Sequence, residues 1–219
     1  MNRGIKLSLV VAVAVSVMAG AAPAFADAIC PDPTPKIFSF SVPTNIPDNN
    51  PVGATASITV PDVDPACPLI WDLNVGLLIR HTWQGDLSIR LTHVESAQSV
   101  MLVNRPGNPQ TTFGFSNDNY GNPNTGALFI LDDEANSTYD VPVTPINNPT
   151  GTWRPEQPLS LFDQKPKAGT WTLHVVDHAA GDTGRIERFE LHFVNKIPEP
   201  ATLGLLGLGA LLFVRRRAR

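Results

Sequence analysis

The 219-residue sequence is poor in cysteine, with two in all, and only 16% of its residues are charged. Between residues 27 and 196 no stretch carries a helical apolar stripe over three turns, so that part of the chain is not built from amphipathic helices. Two cysteines cannot complete a tetrahedral cysteine zinc site. No Gly-x-Ser-x-Gly motif is present, so the nucleophile elbow of a serine hydrolase is missing.

Basic residues are scarcer in the body of the chain than the totals suggest. Six of the 16 Lys and Arg lie close to the two ends of the chain, namely Arg3, Lys6 and the four arginines from residue 215 onward. Without them 10 remain against 20 Asp and Glu, a net charge of −10. A body this acidic repels phosphate backbones, which argues against nucleic acid as a partner. Cations, polysaccharides or other proteins are the partners that remain.

The amino terminus has the pattern of a signal peptide. Arg3 and Lys6 precede an apolar run over residues 7–22, and small residues end at Ala26. This pattern predicts a helical signal peptide over residues 1–26, cleaved by signal peptidase between Ala26 and Asp27. The alternative is an amino-terminal membrane anchor that the mature protein keeps.

The carboxyl terminus, residues 196–219, has three features in a row. These are Pro198-Glu199-Pro200, an apolar run over residues 201–214, and an arginine cluster that begins at Arg215. As a helix the run is about 21 Å long, shorter than the ~30 Å hydrocarbon core. The segment resembles the PEP-CTERM sorting signal of Gram-negative bacteria. The resemblance implies exosortase as a partner, membrane contact through a hydrophobic helix before processing, and then the cell surface or extracellular matrix. An ordinary tail anchor is the alternative.

Export changes how the cysteines are interpreted. Thiols oxidise outside the cytoplasm, so we expect a disulfide between Cys30 and Cys67. Such a bridge closes a loop of about 37 residues and contributes ~3 to 4 kcal/mol in the chain-entropy model. Two free thiols are the alternative.

Alternation of apolar and polar residues predicts a β-structure throughout the body. Residues 73–81 and 87–93 alternate around a turn at 84–86, and residues 171–175 and 189–193 alternate around a turn at 181–184, which predicts two hairpins. Shorter strands are expected at 58–60 and 100–102. We predict an all-β, jelly-roll-like antiparallel β-sandwich over residues 46–195, preceded by a Pro-rich arm over residues 27–45, with long irregular loops over residues 104–155.

Several short sequence motifs in these segments are similar to motifs of one known protein family. The sequence resembles the P domain, or P/Homo B domain, of proprotein convertases and bacterial secreted proteases, over residues 46–193. The resemblance implies a jelly-roll β-sandwich. In those proteases the domain follows and stabilises a catalytic domain, whereas here we expect a stand-alone module behind a signal peptide and an arm. The blocks that carry the resemblance are Ile46-Pro47-Asp48-Asn49, Asp72-Leu73-Asn74-Val75, His81-Thr82-Trp83-Gln84-Gly85-Asp86-Leu87, Asp132-Asp133-Glu134-Ala135, Gly151-Thr152-Trp153-Arg154-Pro155-Glu156, Gly169-Thr170-Trp171-Thr172-Leu173 and Gly181-Asp182-Thr183-Gly184.

The five histidines do not indicate a catalytic site. They fall on predicted strands or strand ends, and His174 and His178 are ~13 Å apart on an extended chain, too far to share a metal ion. His81 is expected to donate to Asp86 or to a loop carbonyl. We therefore assign no catalytic residue and expect a protein that is not an enzyme.

Aspartates at the turns are the stronger functional lead. If the sandwich brings these turns to one end, their oxygens suit a structural Ca²⁺ ion, which takes about 6 to 8 oxygen ligands. The alternative is that they form and cap turns without an ion. Asp118 is a weaker candidate because its loop lacks the final glutamate of an EF-hand. The predicted ligands are Asp86, Asp132, Asp133, Asp177 and Asp182.

Aromatic residues at turns and in loops offer a further possibility, a platform on which sugars stack. Trp171 is expected in the core, and Trp153 is expected to pack as well. The sequence thus favours an exported, non-catalytic surface or matrix module. The alternatives are an accessory module for a separately encoded serine-type peptidase and a carbohydrate-binding module that depends on Trp83. The aromatic residues considered are Trp83, Tyr120, Tyr139 and Trp153.

Overall fold

The computed structural model describes residues 34–62, 65–109, 112–140 and 144–195. The predicted signal peptide with Ala26 and Asp27, Cys30, the Pro198-Glu199-Pro200 motif and the carboxyl-terminal hydrophobic helix lie outside the described residues. Among the described residues no helix has the length and apolar character needed to cross a bilayer. The elements are β1 (Lys36–Phe40), β2 (Thr44–Ile46), β3 (Asn50–Val60), β4 (Asp72–His81), a 3-10 helix (Gln84–Asp86), β5 (Leu87–His93), β6 (Gln98–Asn104), β7 (Phe129–Leu131), β8 (Gly151–Trp153), a second 3-10 helix (Leu159–Phe162), β9 (Gly169–Asp177) and β10 (Gly184–Val194).

The strands form two sheets that pack face to face. One has six strands in the order β1-β10-β4-β7-β8, with β2 also paired to β10, and the other has four strands in the order β3-β9-β5-β6. Among the described strands every pair is antiparallel except β7 with β8. The predicted all-β sandwich is confirmed.

Period-two alternation explains why the core lies between the sheets. In β4 the residues from Leu73 to Ile79 that face inward are fully buried, and Leu87, Ile89 and Leu91 of β5 meet them from the other sheet. Trp171 of β9 lies in the core, as expected, with no exposed surface. Burial of each such side chain contributes about 1.5 to 3 kcal/mol to the stability of the fold. Burial of the inward-facing side chains is therefore the main favourable contribution to packing of the two sheets.

Both predicted hairpins are wrong, although their strands exist. β4 belongs to the six-stranded sheet and β5 to the four-stranded sheet, and β9 and β10 are divided in the same way. Each chain segment therefore crosses from one sheet to the other. The connection after β4 is buried: Gln84 and Asp86 are at most 4% exposed, and the His178 N–H donates to the Asp86 carbonyl at 3.0 Å. The two crossings thus lie side by side at one end of the sandwich.

Two segments without a strong alternation signal also join the six-stranded sheet. β1 and β2 pair with β10, although the sequence placed all of their residues except Ile46 in the arm. Phe38 and Phe40 rest on Phe193 and Phe189 at ring-centroid distances of 6.0 and 5.9 Å. These aromatic contacts fix the edge of the sheet.

Candidate functional site

The predicted calcium ligands fall into separate places instead of converging. β4 has ten residues, which places its ends about 30 Å apart. Asp86, Asp177 and Asp182 lie near its end, at His81, whereas Asp132 lies near its start, at Asp72. The expected convergence does not occur because the loop that carries Asp132 follows β7, which pairs with the first half of β4.

The group near the end of β4 consists of His81, Asp86, Asp177 and Asp182, here called the Asp86 group. Burial, together with the nearby charges of Asp177 and Asp182, raises the pKa of Asp86 to about 6. His81 Nε2 lies 3.3 Å from Asp177 Oδ2, and its Nδ1 lies 2.8 Å from the Trp83 carbonyl. The expected carbonyl contact of His81 is confirmed, but its aspartate partner is Asp177 and not Asp86. The His81 imidazole is therefore the side chain in this group that faces a carboxylate, that of Asp177.

The group near the start of β4 consists of Asp72, Asn74, Asp132 and Glu134, here called the Asp132 group. The pKa of Glu134 is raised to about 7, first by a hydrogen bond to Asp132 and then by burial and the charge of Asp72. Burial and the charge of Asp132 also raise the pKa of Asp72. The Asn74 amide donates to Asp132 at 3.3 Å, but its Oδ1 is buried without a hydrogen-bond partner. The carboxylates of Asp72, Asp132 and Glu134 therefore lie near one another and near the Asn74 Oδ1, which has no hydrogen-bond partner.

Asp133 belongs to neither group. Its carboxylate accepts hydrogen bonds from the backbone N–H groups of Leu159 and Ser160, both at 2.8 Å. These bonds anchor the second 3-10 helix to the loop after β7. Asp133 therefore matches the capping alternative considered for the aspartates. Across the described ranges, no three His, Cys, Asp or Glu side chains are placed together closely enough to hold a metal by themselves.

Sequence reasoning missed three members of the Asp132 group. Asp72 and Asn74 alternate on the outer face of β4, and Glu134 stands two residues beyond Asp132. The signal was present, since both sequence blocks were recognised as family blocks. Their juxtaposition was not visible, because Asn74 and Asp132 are separated by 58 positions in the chain.

One Ser–His pair has the contact expected of a nucleophile and its base. Ser88 Oγ lies 2.8 Å from His178 Nε2. Burial and the charge of Arg105 lower the pKa of His178, so the ring is neutral at pH 7. Asp177, whose charge acts on His178, is engaged by His81 and by the Ala179 N–H, so it does not orient His178.

The aromatic platform is contradicted at three of its four positions. Tyr120 and Tyr139 are at most 5% exposed. The Trp153 ring stacks on Phe129, with ring centroids 6.1 Å apart, as expected for a packed side chain. The fourth, Trp83, is half-buried, and its indole N–H donates to the Phe113 carbonyl at 2.7 Å. Tyr139 packs against both Tyr120 and Trp153, so these three rings form a packed cluster and not a surface on which sugars stack.

Cys67 is buried and carries no free thiol. Its predicted partner, Cys30, lies outside the described residues, so the pairing stays a prediction.

Comparisons with known proteins cover most of the chain. A family model described as the proprotein convertase P-domain matches residues 70–193, and the PEP-CTERM protein-sorting motif matches residues 196–218. Both expected resemblances are confirmed, and the sorting motif marks the chain as exported and sorted by exosortase to the cell surface or beyond. No curated protein matches.

Two solved structures are similar. They are the serine protease of Aeromonas sobria in complex with its chaperone, with 13% identity and a TM-score of 0.44, and the same protease on its own, with 14% identity and a TM-score of 0.42. The matches cover 74% and 76% of this chain but 27% and 28% of the protease chains. The chain therefore spans little more than a quarter of the length of these proteins.

Proposed function

Because the chain belongs to the proprotein convertase P-domain family, we propose that it is a non-catalytic binding module, stabilised by Ca²⁺ and displayed at the cell surface or in the extracellular matrix. One observation carries this proposal: β10 ends at Val194, and the sorting motif begins at residue 196. A folded sandwich is thus joined directly to an exosortase signal, which is the arrangement of a domain delivered for display.

The environment of Ser88 and His178 supports the absence of catalysis. Catalysis by such a pair needs an orienting carboxylate and backbone donors that stabilise an oxyanion. Ser88 lies within β5, paired with Val176 on one side and Asn104 on the other, so the neighbouring N–H groups belong to the sheet ladder. Neither requirement is met within the described part of the chain.

Peptidase activity tests this point. We expect the purified full-length protein to leave casein and a library of fluorogenic peptides uncleaved. Cleavage that disappears in Ser88→Ala or His178→Ala but persists in the distant control Ser57→Ala would overturn the proposal. Cleavage that all three variants retain would indicate a contaminating peptidase that has to be removed before the assay is repeated.

The Asp132 group is the position that best fits a calcium ion. Ca²⁺ binds carboxylate and amide oxygens, and this group has three carboxylates near the unpartnered Asn74 Oδ1. In this structure the carboxylates are not close enough together to hold an ion by themselves, so the proposal requires them to draw together when the ion binds. A cation there replaces the shared proton that Glu134 otherwise holds near neutral pH, because it compensates the charges of Asp72 and Asp132. The Asp86 group is less suitable, since His81 already faces Asp177. Loop backbone carbonyls and water complete the coordination number that carboxylates alone do not reach.

Thermal unfolding of the full-length protein with and without calcium tests the site. For a dissociation constant of about 10 µM, 1 mM Ca²⁺ stabilises the fold by about 2.7 kcal/mol. In a domain of this size the expected rise in Tm is about 5 to 10 °C. Asp132→Asn should abolish this calcium-dependent rise, whereas Asp118→Asn, an exposed aspartate outside the group, should keep it. An unchanged Tm in millimolar calcium contradicts the calcium part of the proposal.

Export is tested by the intact mass of the protein recovered from the cell surface and medium. We expect cleavage after Ala26, a second cleavage near Pro198-Glu199-Pro200, and the loss of two hydrogens for the Cys30–Cys67 bridge. Glu199→Gln should leave the protein in the membrane fraction, while Glu156→Gln should not. A wild-type mass that still includes the arginine cluster contradicts sorting by exosortase.

A second candidate function follows from the family itself, whose P domains accompany proteases. The chain would then assist a separately encoded peptidase. Co-purification of a peptidase with the protein, at a fixed stoichiometry through gel filtration, would favour this function over a surface role.

A further inference from the structure

A polar cleft of about 630 Å³ opens at the end of the six-stranded sheet where β2, β10 and β4 lie side by side. Its volume is within the ~300 to 1,000 Å³ of typical ligand pockets. It is separate from the Asp132 group, which lies at the other end of β4. The lining residues that matter here are Asn45, Arg80, Thr82, Asp118, Thr183 and Arg185.

The sheet register places two arginines next to each other in this cleft. Arg185 of β10 is directly opposite Arg80 of β4 on one side and Asn45 of β2 on the other. Paired residues of antiparallel strands project from the same face, so the three side chains form one row. The two arginine side chains are 42% and 46% exposed. Like charges directly opposite each other destabilise a sheet unless a counter-charge lies between them.

One carboxylate serves both guanidinium groups. Glu187 Oε1 accepts hydrogen bonds from Arg80 Nε and from Arg185, the latter at 2.9 Å from Nε and 2.8 Å from a terminal nitrogen. Glu187 is free to do so because the register of β10 and β4 shifts between Ile186 and Arg188. Two positive charges therefore share one negative charge on an otherwise acidic body.

Several polar groups in the cleft keep free hydrogen-bonding capacity. Neither terminal nitrogen of Arg80 has a hydrogen-bond partner among the described residues, and one terminal nitrogen of Arg185 is likewise unused. The side chains of Asn45 and Thr183 are also unbonded within those residues, and the Asp118 carboxylate accepts no hydrogen bond there. The cleft thus offers cationic donors at one point and an anionic acceptor at another.

This combination selects a ligand class. A carboxylate binds the paired guanidinium groups through charge-assisted hydrogen bonds, which are about twice as strong as neutral ones. The Asp118 carboxylate accepts hydrogen bonds, which the hydroxyl groups of a ligand donate. A fully ionised phosphate has no hydrogen to donate. Apart from the buried His81, the described lining has no aromatic ring on which a neutral sugar could stack, so affinity depends on charge.

We infer that this cleft binds an acidic saccharide, with a uronic acid carboxylate on Arg80 and Arg185 and ring hydroxyls on Asp118 and Asn45. The inference rests on the proposed function as a binding module and names its ligand.

Isothermal titration of the full-length protein with an oligogalacturonate hexamer tests the inference, with cellohexaose as the neutral comparison. Chelator is present so that calcium does not bridge uronate and protein. We expect the uronate to bind and cellohexaose to bind at least tenfold more weakly. Arg185→Gln should weaken uronate binding about tenfold, because one charge-assisted contact is lost. Arg90→Gln, on the four-stranded sheet, is the matched control and should bind as wild type.

Three results would overturn the inference: no uronate binding at millimolar concentration, equal binding of cellohexaose, or equal losses in Arg185→Gln and Arg90→Gln. Unchanged Tm values of both variants exclude loss of fold as the cause of weaker binding. The same preparation is assayed for peptidase activity and for its calcium-dependent Tm. If those two results agree with the proposed function while uronate fails to bind, only the ligand assignment falls.

Discussion

Replacement of Asp86 by asparagine should stabilise this protein at neutral pH. Asp86 is 4% exposed, its carboxylate accepts no hydrogen bond within the described residues, and Asp177 and Asp182 add negative charge nearby. A buried, unpaired carboxylate is costly in its ionised form, whereas asparagine of the same shape carries no charge. The side chain therefore opposes folding whenever it is ionised.

The magnitude follows from the pKa of Asp86, which rises from 3.8 to about 6 on folding. Because the folded pKa is the higher one, the folded protein binds the proton more tightly, and stability falls as pH rises from about 4 to about 6. A difference of about two pKa units corresponds to about 3 kcal/mol once the group is fully ionised. Asp86→Asn removes this penalty, so its advantage should be near zero at pH 3.5 and up to about 3 kcal/mol at pH 8.

Thermal unfolding in chelator at pH 3.5 and pH 8 measures this difference. The expected rise in Tm of Asp86→Asn at pH 8 is about 5 to 10 °C, and Asp118→Asn, an exposed control, should change Tm by no more than a degree or two. A lower Tm of Asp86→Asn at pH 8 in chelator would refute the reasoning, since it would show that the carboxylate contributes to folding. If Asp86→Asn loses stability only in calcium, the Asp86 group holds the ion.

Two further substitutions, one of them with a matched control, probe the loops and the sheet edge. Tyr139→Phe removes the hydroxyl that donates to Gln84 Oε1 at 2.9 Å inside the protein, so we expect a loss of about 1 to 3 kcal/mol in urea unfolding; a loss below half a kilocalorie would contradict this role. Gly53→Ala should destabilise by at least ~2 kcal/mol, because φ is 62° and a Cβ there would lie 2.4 Å from the Val175 carbonyl. Gly126→Ala, with φ of 77° but no atom within 4 Å, should lose only ~1 kcal/mol, and equal losses in the two variants would show that backbone strain alone is responsible.

Alternation predicted the long strands well and their partners poorly. β4 and β5 begin and end within two residues of the alternating runs, because burial of every second side chain is a local property of an extended chain. Sheet membership is not local. Gln84 and Asp86 look like a solvated turn in the sequence but are buried where the chain crosses between the sheets. The three-residue strands β7 and β8 are too short to show a period at all.

The difference between local pattern and non-local pairing also explains which parts of the site could be predicted from the sequence. Aspartates at turns suggested a cation, but a turn does not reveal which other turn it meets in space. Asp132 meets Asn74 because β7 pairs with β4, and Asp86 meets Asp177 because both sheet crossings occur at one end. The sequence shows that the body is acidic and has few basic residues, but only the register of β4 and β10 shows that Arg80 and Arg185 are neighbours.

The outer face of β4 connects the two proposed sites. Its outward residues run from Asp72 and Asn74, through Gly76, to Arg80, and Leu128 packs so closely over Gly76 that an added Cβ would lie 2.7 Å from its Cδ1. This cover divides one polar strand face into an acidic end and a basic end. Because carboxylates and guanidinium groups held apart do not neutralise each other, each end keeps its own charge, which both proposed sites require. The covered centre thus keeps the proposed calcium site apart from the proposed saccharide site.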